Sequence, residues 1–101
     1  MDELIGYDID GVLSHGIIPE GNYVIVSGRT LAEYDDFVKS LAQKAPVYIR
    51  CSGNFGDRKA AGLWKASIIK LLNITKFYED DALQSFLIQK ENPNCNVILV
   101  K

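Results

Sequence analysis

Five short apolar runs alternate along this chain with stretches of helical spacing, and that alternation limits the fold more than any other feature. The runs are Leu4 to Ile9, Tyr23 to Val26, Val47 to Ile49, Phe77 to Tyr78 and Val97 to Val100. Unbroken and rich in β-branched and aromatic residues, they suit strands covered on both faces. After the second run, Thr30 is placed to cap a helix whose Leu31, Tyr34, Phe37, Val38 and Leu41 follow helical spacing, with Glu33, Asp35 and Asp36 favourable to its dipole. Pro46 stops that pattern. Cys51 to Gly62, with three glycines, reads as a loop. A helix is predicted over Leu63 to Leu72, with Leu63, Ile68, Ile69, Leu71 and Leu72 available for burial. Another is predicted over Ala82 to Lys90, with Leu83, Phe86 and Leu87 inward. Strands alternating with helices require right-handed crossovers, so the expectation is an α/β fold of three layers around a mainly parallel five-stranded sheet.

At 101 residues the chain is expected to form one domain spanning 1–101, with room for one core and none for an elaborate second lobe. A net charge of −2 supplies no bulk attraction to nucleic acid, so polyanion binding would need a local patch. No apolar stretch approaches membrane-spanning length, and Met1-Asp2-Glu3 is acidic where a signal peptide would be basic; the expectation is a cytoplasmic protein without membrane partners. Cys51 and Cys95 lack metal-ligand spacing and read as buried or free thiols, and the single His15 excludes multi-histidine metal sites.

In parallel α/β sheets the site lies beyond the carboxyl ends of the strands, where the winding direction reverses. Those ends carry the chemistry: Asp8 and Asp10, then Ser27-Gly28-Arg29, then Arg50, then Glu79-Asp80-Asp81. In an extended strand residues two apart share a face, so the side chains of Asp8 and Asp10 are expected on one side, about 7 Å apart. Paired carboxylates repel and raise each other's pKa, so a cation such as Mg²⁺ would relieve the pair. Calcium loops also use Asp-x-Asp-Gly, but they need further oxygen ligands at alternate positions, and Val12 and Leu13 follow here.

Taken in order, these segments resemble the four motifs of the haloacid dehalogenase superfamily of phosphohydrolases, over nearly the whole chain. Ile5 to Leu13, with Asp8-Ile9-Asp10-Gly11, is similar to its first motif, and Val24-Ile25-Val26-Ser27 with Gly28-Arg29 to its second. Lys65 is the best candidate for the third, with Lys59 and Lys70 as rivals, and Phe77 to Asp81 is similar to the fourth. The resemblance implies a Rossmann-like fold and a Mg²⁺-dependent phosphatase acting on phosphate monoesters. It implies Asp8 as nucleophile, Asp10 as general acid and base, Ser27 on a phosphoryl oxygen with Gly28 and Arg29 beside the substrate, and Lys65 as the fixed positive charge. The metal would be held by Asp8, Asp10 through its carbonyl, and Asp80, with Glu79 and Asp81 as alternatives. Arg29 and Arg50 could clamp phosphate or a sugar, or pair with Glu20 or Asp57.

Members of that family usually carry a cap inserted after the first motif or before the Lys motif. Here sixteen residues separate Asp10 from Ser27, and the loop before Trp64 is short, so a capless member with an open site is expected. An open site favours a phosphorylated macromolecule. The alternatives are a nucleic-acid end-processing phosphatase or accessory domain, with the loop Cys51 to Lys59 and its Phe55 touching the polynucleotide, and a non-catalytic binding module.

Overall fold

The computed structural model describes residues 3–53 and 57–101. Five strands, β1 (Ile5–Tyr7), β2 (Tyr23–Thr30), β3 (Val47–Arg50), β4 (Lys76–Glu79) and β5 (Asn96–Leu99), form one sheet in the order β3-β2-β1-β4-β5, with every pair parallel. Three helices, α1 (Asp36–Ala42), α2 (Arg58–Leu72) and α3 (Ala82–Glu91), connect β2 to β3, β3 to β4 and β4 to β5. The chain winds outward from β1 to β3, then crosses back to β4, so the reversal falls between β1 and β4. The expected three-layer, Rossmann-like architecture is the observed one, and the sheet is parallel throughout.

Strand parity divides the core. Val24, Val26 and Phe77 meet Ala66 and Ile69 of α2 and Ile88 of α3 on one face. Tyr7 and Ile25 meet Val38 of α1 on the other, together with Ile9, Val12 and Leu13 from the segment after β1. That segment contains only a 3-10 turn, Leu13–His15, so β1 reaches β2 without a helix. On the same face the rings of Tyr7 and Tyr78 stack in parallel across the β1–β4 seam, centroids 4.7 Å apart, and the Tyr7 hydroxyl accepts from the Glu20 backbone N–H at 3.2 Å.

Several local expectations change. The first strand ends at Tyr7, with Asp8 adding one further ladder bond to the Tyr78 carbonyl, so Asp10 lies in a turn and not on a strand face beside Asp8. Thr30 does not cap the helix after β2. With Glu33 it forms a capping box on a 3-10 turn, Leu31–Glu33, and Asp35 caps α1 by accepting from the Val38 N–H. The helical spacing of residues 31–41 therefore spans two elements, which is why Leu31, Tyr34 and Phe37 are exposed and Val38 alone is buried in α1. The helix read from Leu63 begins at Arg58, because Asp57 accepts from the Ala60 N–H and caps it there. It buries Ala61, Lys65, Ala66 and Ile69 while Leu63 and Leu71 face out. In α3 the buried residues are Gln84 and Ile88, whereas Leu83 and Phe86 are exposed.

Neither segment where a cap was considered holds a folded unit among the described residues; Asn54, Phe55 and Gly56, on which the loop contact with a polynucleotide was placed, lie outside them. No described helix is long and apolar enough to cross a membrane. Both cysteines are free, Cys51 exposed and Cys95 buried, and burial pushes the Cys95 thiol up to about 11.

Gly6 marks the tightest point of the sheet. A Cβ there would meet the wholly buried Phe77 ring at 2.5 Å and Ile74 at 3.3 Å. Gly6→Ala is expected to lower stability in urea denaturation by about 1–3 kcal/mol, the usual cost of overpacking. Phe77→Leu in the same chain should recover part of that loss relative to the sum of the single changes; strict additivity would disprove the proposed clash.

Candidate active site

The polar strand ends converge on a cleft of about 250 Å³ at the carboxyl edge of the sheet, over the β1–β4 reversal. Its walls include Asp8, Asp10, Gly28, Lys65, Glu79 and Asp80. At its base lies Lys65, whose ammonium is almost wholly buried and meets three acceptors: Asp8 Oδ2 at 3.1 Å, Glu79 Oε1 at 2.7 Å and Gln84 Oε1 at 2.6 Å. A lysine ammonium has three N–H bonds, so this donor set is saturated. Lys65 reaches this point because it shares the buried stripe of α2 with Ala61 and Ile69, one turn to either side. The rivals Lys59 and Lys70 are exposed on the same helix.

Parity along the strands decides which groups face Lys65. Asp8 follows Gly6 onto the α2 face, and Glu79 follows Phe77. Asp8 Oδ1 accepts from the Ile9 N–H at 2.8 Å, and Glu79 Oε2 accepts from the backbone N–H groups of Asp80 and Asp81. On β2 the same rule turns Ser27 away. Ser27 follows Ile25 and is fully buried, its Oγ accepting from the Arg29 N–H at 3.1 Å, and it does not line the cleft. Gly28 takes the inward place, and a Cβ there would come within 3.2 Å of Ala61 and 3.5 Å of Lys65 Cε.

Burial raises the Asp8 pKa, against the opposing pull of Lys65. Burial, reinforced by the charge of Asp8, pushes Glu79 up to about 7. Burial also works against the Lys65 ammonium, but Asp8 and Glu79 together outweigh it and raise its pKa. Asp80 is raised by partial burial and by Glu79. Asp81 is separate: its carboxylate caps α3 at the Gln84 N–H and pairs with Arg58 at 2.7 Å, and the Arg58 guanidinium holds it down at about 2.

Asp8, Glu79 and Asp80 offer carboxylate oxygens within 4.8 Å of one another. Hard oxygen donors of this kind suit Mg²⁺ or Ca²⁺. When ionised, three carboxylates and one ammonium leave two negative charges, which one divalent cation balances. Gly11 makes this packing feasible: at φ 78° it carries no side chain, and a Cβ there would collide with the Asp80 carboxylate.

The structure thus brings together Asp8, Lys65 and Asp80 of the residues singled out in the sequence, with Gly28 at the wall. The Asp10 carboxylate does not join them; it is forked by Arg29, with Nε–Oδ2 at 3.0 Å and Nη2–Oδ1 at 2.9 Å. Arg50 lines the cleft and donates from Nε to the Gly28 carbonyl. Glu79, the alternative to Asp80, stands in the cluster beside it and also meets Lys65, and Gln84 was not singled out at all. The chain matches no protein-family model, and comparison with curated proteins and with solved structures gives no match.

The raised Glu79 pKa has a sign that can be measured in the metal-free protein. Glu79 ionises near its ordinary 4.5 when unfolded and at about 7 when folded. Between these values the folded chain holds a proton that the unfolded chain has released, so raising the pH favours unfolding. The contribution is whole below about pH 4.5 and lost as pH climbs through 7, and Asp8 is shifted in the same direction. With chelator present, thermal midpoints should therefore fall between about pH 5 and pH 8. A flat or rising profile would show that both carboxylates are ionised throughout.

Proposed function

We propose that this chain is a Mg²⁺-dependent phosphohydrolase of the haloacid dehalogenase type, hydrolysing phosphate monoesters through an aspartyl-phosphate on Asp8. The observation that carries the reading is the buried Lys65 ammonium 3.1 Å from Asp8 Oδ2, at the point where the sheet reverses its winding and two further carboxylates converge. A buried cation held against a strand-end carboxylate is a fixed positive charge where a transferring phosphoryl group would gather negative charge.

In this reading an Asp8 oxygen attacks phosphorus as the ester P–O bond breaks, and Asp10 delivers a proton to the leaving oxygen. Asp10 then takes a proton from water as that water attacks the aspartyl-phosphate, releasing inorganic phosphate and restoring Asp8. Lys65 offsets the charge of Asp8 and of the incoming anion throughout. Asp8, Asp80 and Glu79 would hold the metal, with the Asp10 carbonyl as the further oxygen that the family resemblance offers. When bound, Mg²⁺ would supply positive charge that blunts the repulsion between substrate and carboxylates. Gly28 presents its backbone at the cleft wall without a side chain, and this assignment does not use the Ser27 hydroxyl. With no folded unit over the cleft among the described residues, a phosphate carried on a large molecule is the favoured substrate.

Purified protein with Mg²⁺ is expected to release phosphate from an aryl phosphate, and chelation should stop the release reversibly. Asp8→Asn should lower the rate by at least about a thousandfold, since an amide cannot form the intermediate. Turnover retained by Asp8→Asn would sink the covalent mechanism, and wild-type inactivity over a broad panel of phosphate esters would sink the enzymatic reading.

A further inference from the structure

We infer that Arg29 is a positioning residue for Asp10 and not a clamp on the substrate, an assignment that rests on the phosphohydrolase reading. Asp10 sits in the turn after β1, where the backbone does not hold its side chain to a strand face. Its carboxylate is fixed instead by the Arg29 fork, which engages both oxygens and so sets the plane as well as the place of the group.

The fork is anchored at its far end. Arg29 Nη1 donates to Asp35 Oδ2 at 3.1 Å and to the Glu33 carbonyl at 3.4 Å. The other Asp35 oxygen accepts from the Val38 N–H as the cap of α1. Asp10 is thereby tied through Arg29 to the start of a helix. The exposures agree: the Arg29 side chain is 14% accessible, whereas Asp10 and Asp35 are 57% and 58% accessible. The cation is the more buried member, and the carboxylate of Asp10 is oriented by it.

The donor inventory separates the two roles. A guanidinium has five N–H bonds, and four of them are committed to Asp10, Asp35 and Glu33. One remains, too few for the two-point grip that makes arginine a phosphate clamp. Held this way, Asp10 stays within the cleft wall, and each oxygen keeps a second lone pair outside the fork on which the proton passed between leaving oxygen and water is carried. Displacing such a group by about 1 Å costs on the order of a hundredfold in rate.

The test compares Arg29→Lys and Asp35→Ser with wild type in Mg²⁺, on one aryl and one alkyl phosphate, with inorganic phosphate as inhibitor. Lysine keeps the charge but has no fork, and serine keeps a good helix cap while severing the anchor. Both released carboxylates are more than half exposed, so water can rehydrate them and thermal midpoints should stay close to wild type. Arg29→Lys should lower kcat by about tenfold or more while KM and the phosphate inhibition constant change by less than about twofold. Its kcat/KM should fall further on the alkyl ester, whose leaving oxygen depends more on the donated proton, and Asp35→Ser should follow the same pattern with a loss of about threefold. A rise in KM and in the phosphate constant at unchanged kcat would overturn the inference by making Arg29 a substrate clamp. Equal losses on both esters with a lowered midpoint would reduce Arg29 to a structural role. Wild-type inactivity would instead overturn the phosphohydrolase reading, and this inference with it.

Discussion

The buried ammonium of Lys65 is the group on which the arrangement depends. A lone charge at that depth would carry a desolvation cost of several kcal/mol, and it is tolerable only because each N–H has its own acceptor. Those acceptors come from three places in the chain: the residue after β1, the last residue of β4 and the first turn of α3. Their side chains must meet one point, so Lys65 fixes the approach of α2 to the sheet and of α3 to α2. Gly28 and Gly62 serve the same end. Gly28 lets Ala61 of α2 approach to 3.2 Å of where a Cβ would stand, and Gly62 lets Gln84 and Leu87 of α3 come as close as 3.1–3.2 Å.

Around this centre the charges fall into two sets with different physics. Lys65, Asp8 and Glu79 are shielded from water, and burial dominates the shifts of both carboxylates. The arginine pairs lie at the rim, Arg29 with Asp10 and Asp35, and Arg58 with Asp81, where at least one partner is well exposed. Rim pairs add little stability. Their contribution is orientation: each ties a carboxylate in the turn beyond a strand to the start of a helix, Asp10 to α1 through Asp35 and Asp81 to α2 through Arg58.

How far the sequence discloses this arrangement depends on how local its signals are. Five apolar runs and their order lead to the parallel sheet, because strand identity is carried within each run. The inward face of Asp8 follows from strand parity, whereas Lys65 was singled out by the resemblance, because the apolar stripe counted from Leu63 misses the buried stripe of Ala61, Lys65, Ala66 and Ile69 that starts with the Asp57 cap. Asp10 escapes because a strand end is set by pairing with β2 and β4, not by the residues of β1 alone. Glu79 was within reach, since it shares the parity of Phe77, but an acidic side chain at a strand tip reads more readily as solvent-facing. Gln84 carries no local signal. Its burial comes from Lys65, nineteen residues earlier, and Leu83 and Phe86 beside it imitate an inward stripe that the structure turns outward, whereas Leu87 packs toward Gly62.

The stacked rings of Tyr7 and Tyr78 act as a ruler for the chemistry one step further along. Each immediately precedes a residue that meets Lys65, Asp8 on β1 and Glu79 on β4, and the two rings lie flat against each other across the seam. Sliding one strand past the other by a single residue moves its tip by about 3.3 Å and reverses its faces. The stack forbids that slip on the side of the sheet away from the cleft. Alignment of the two carboxylates is thus kept by a ring contact on the opposite face of the sheet from Lys65, so the register beneath the charged cluster does not depend on the charges it aligns.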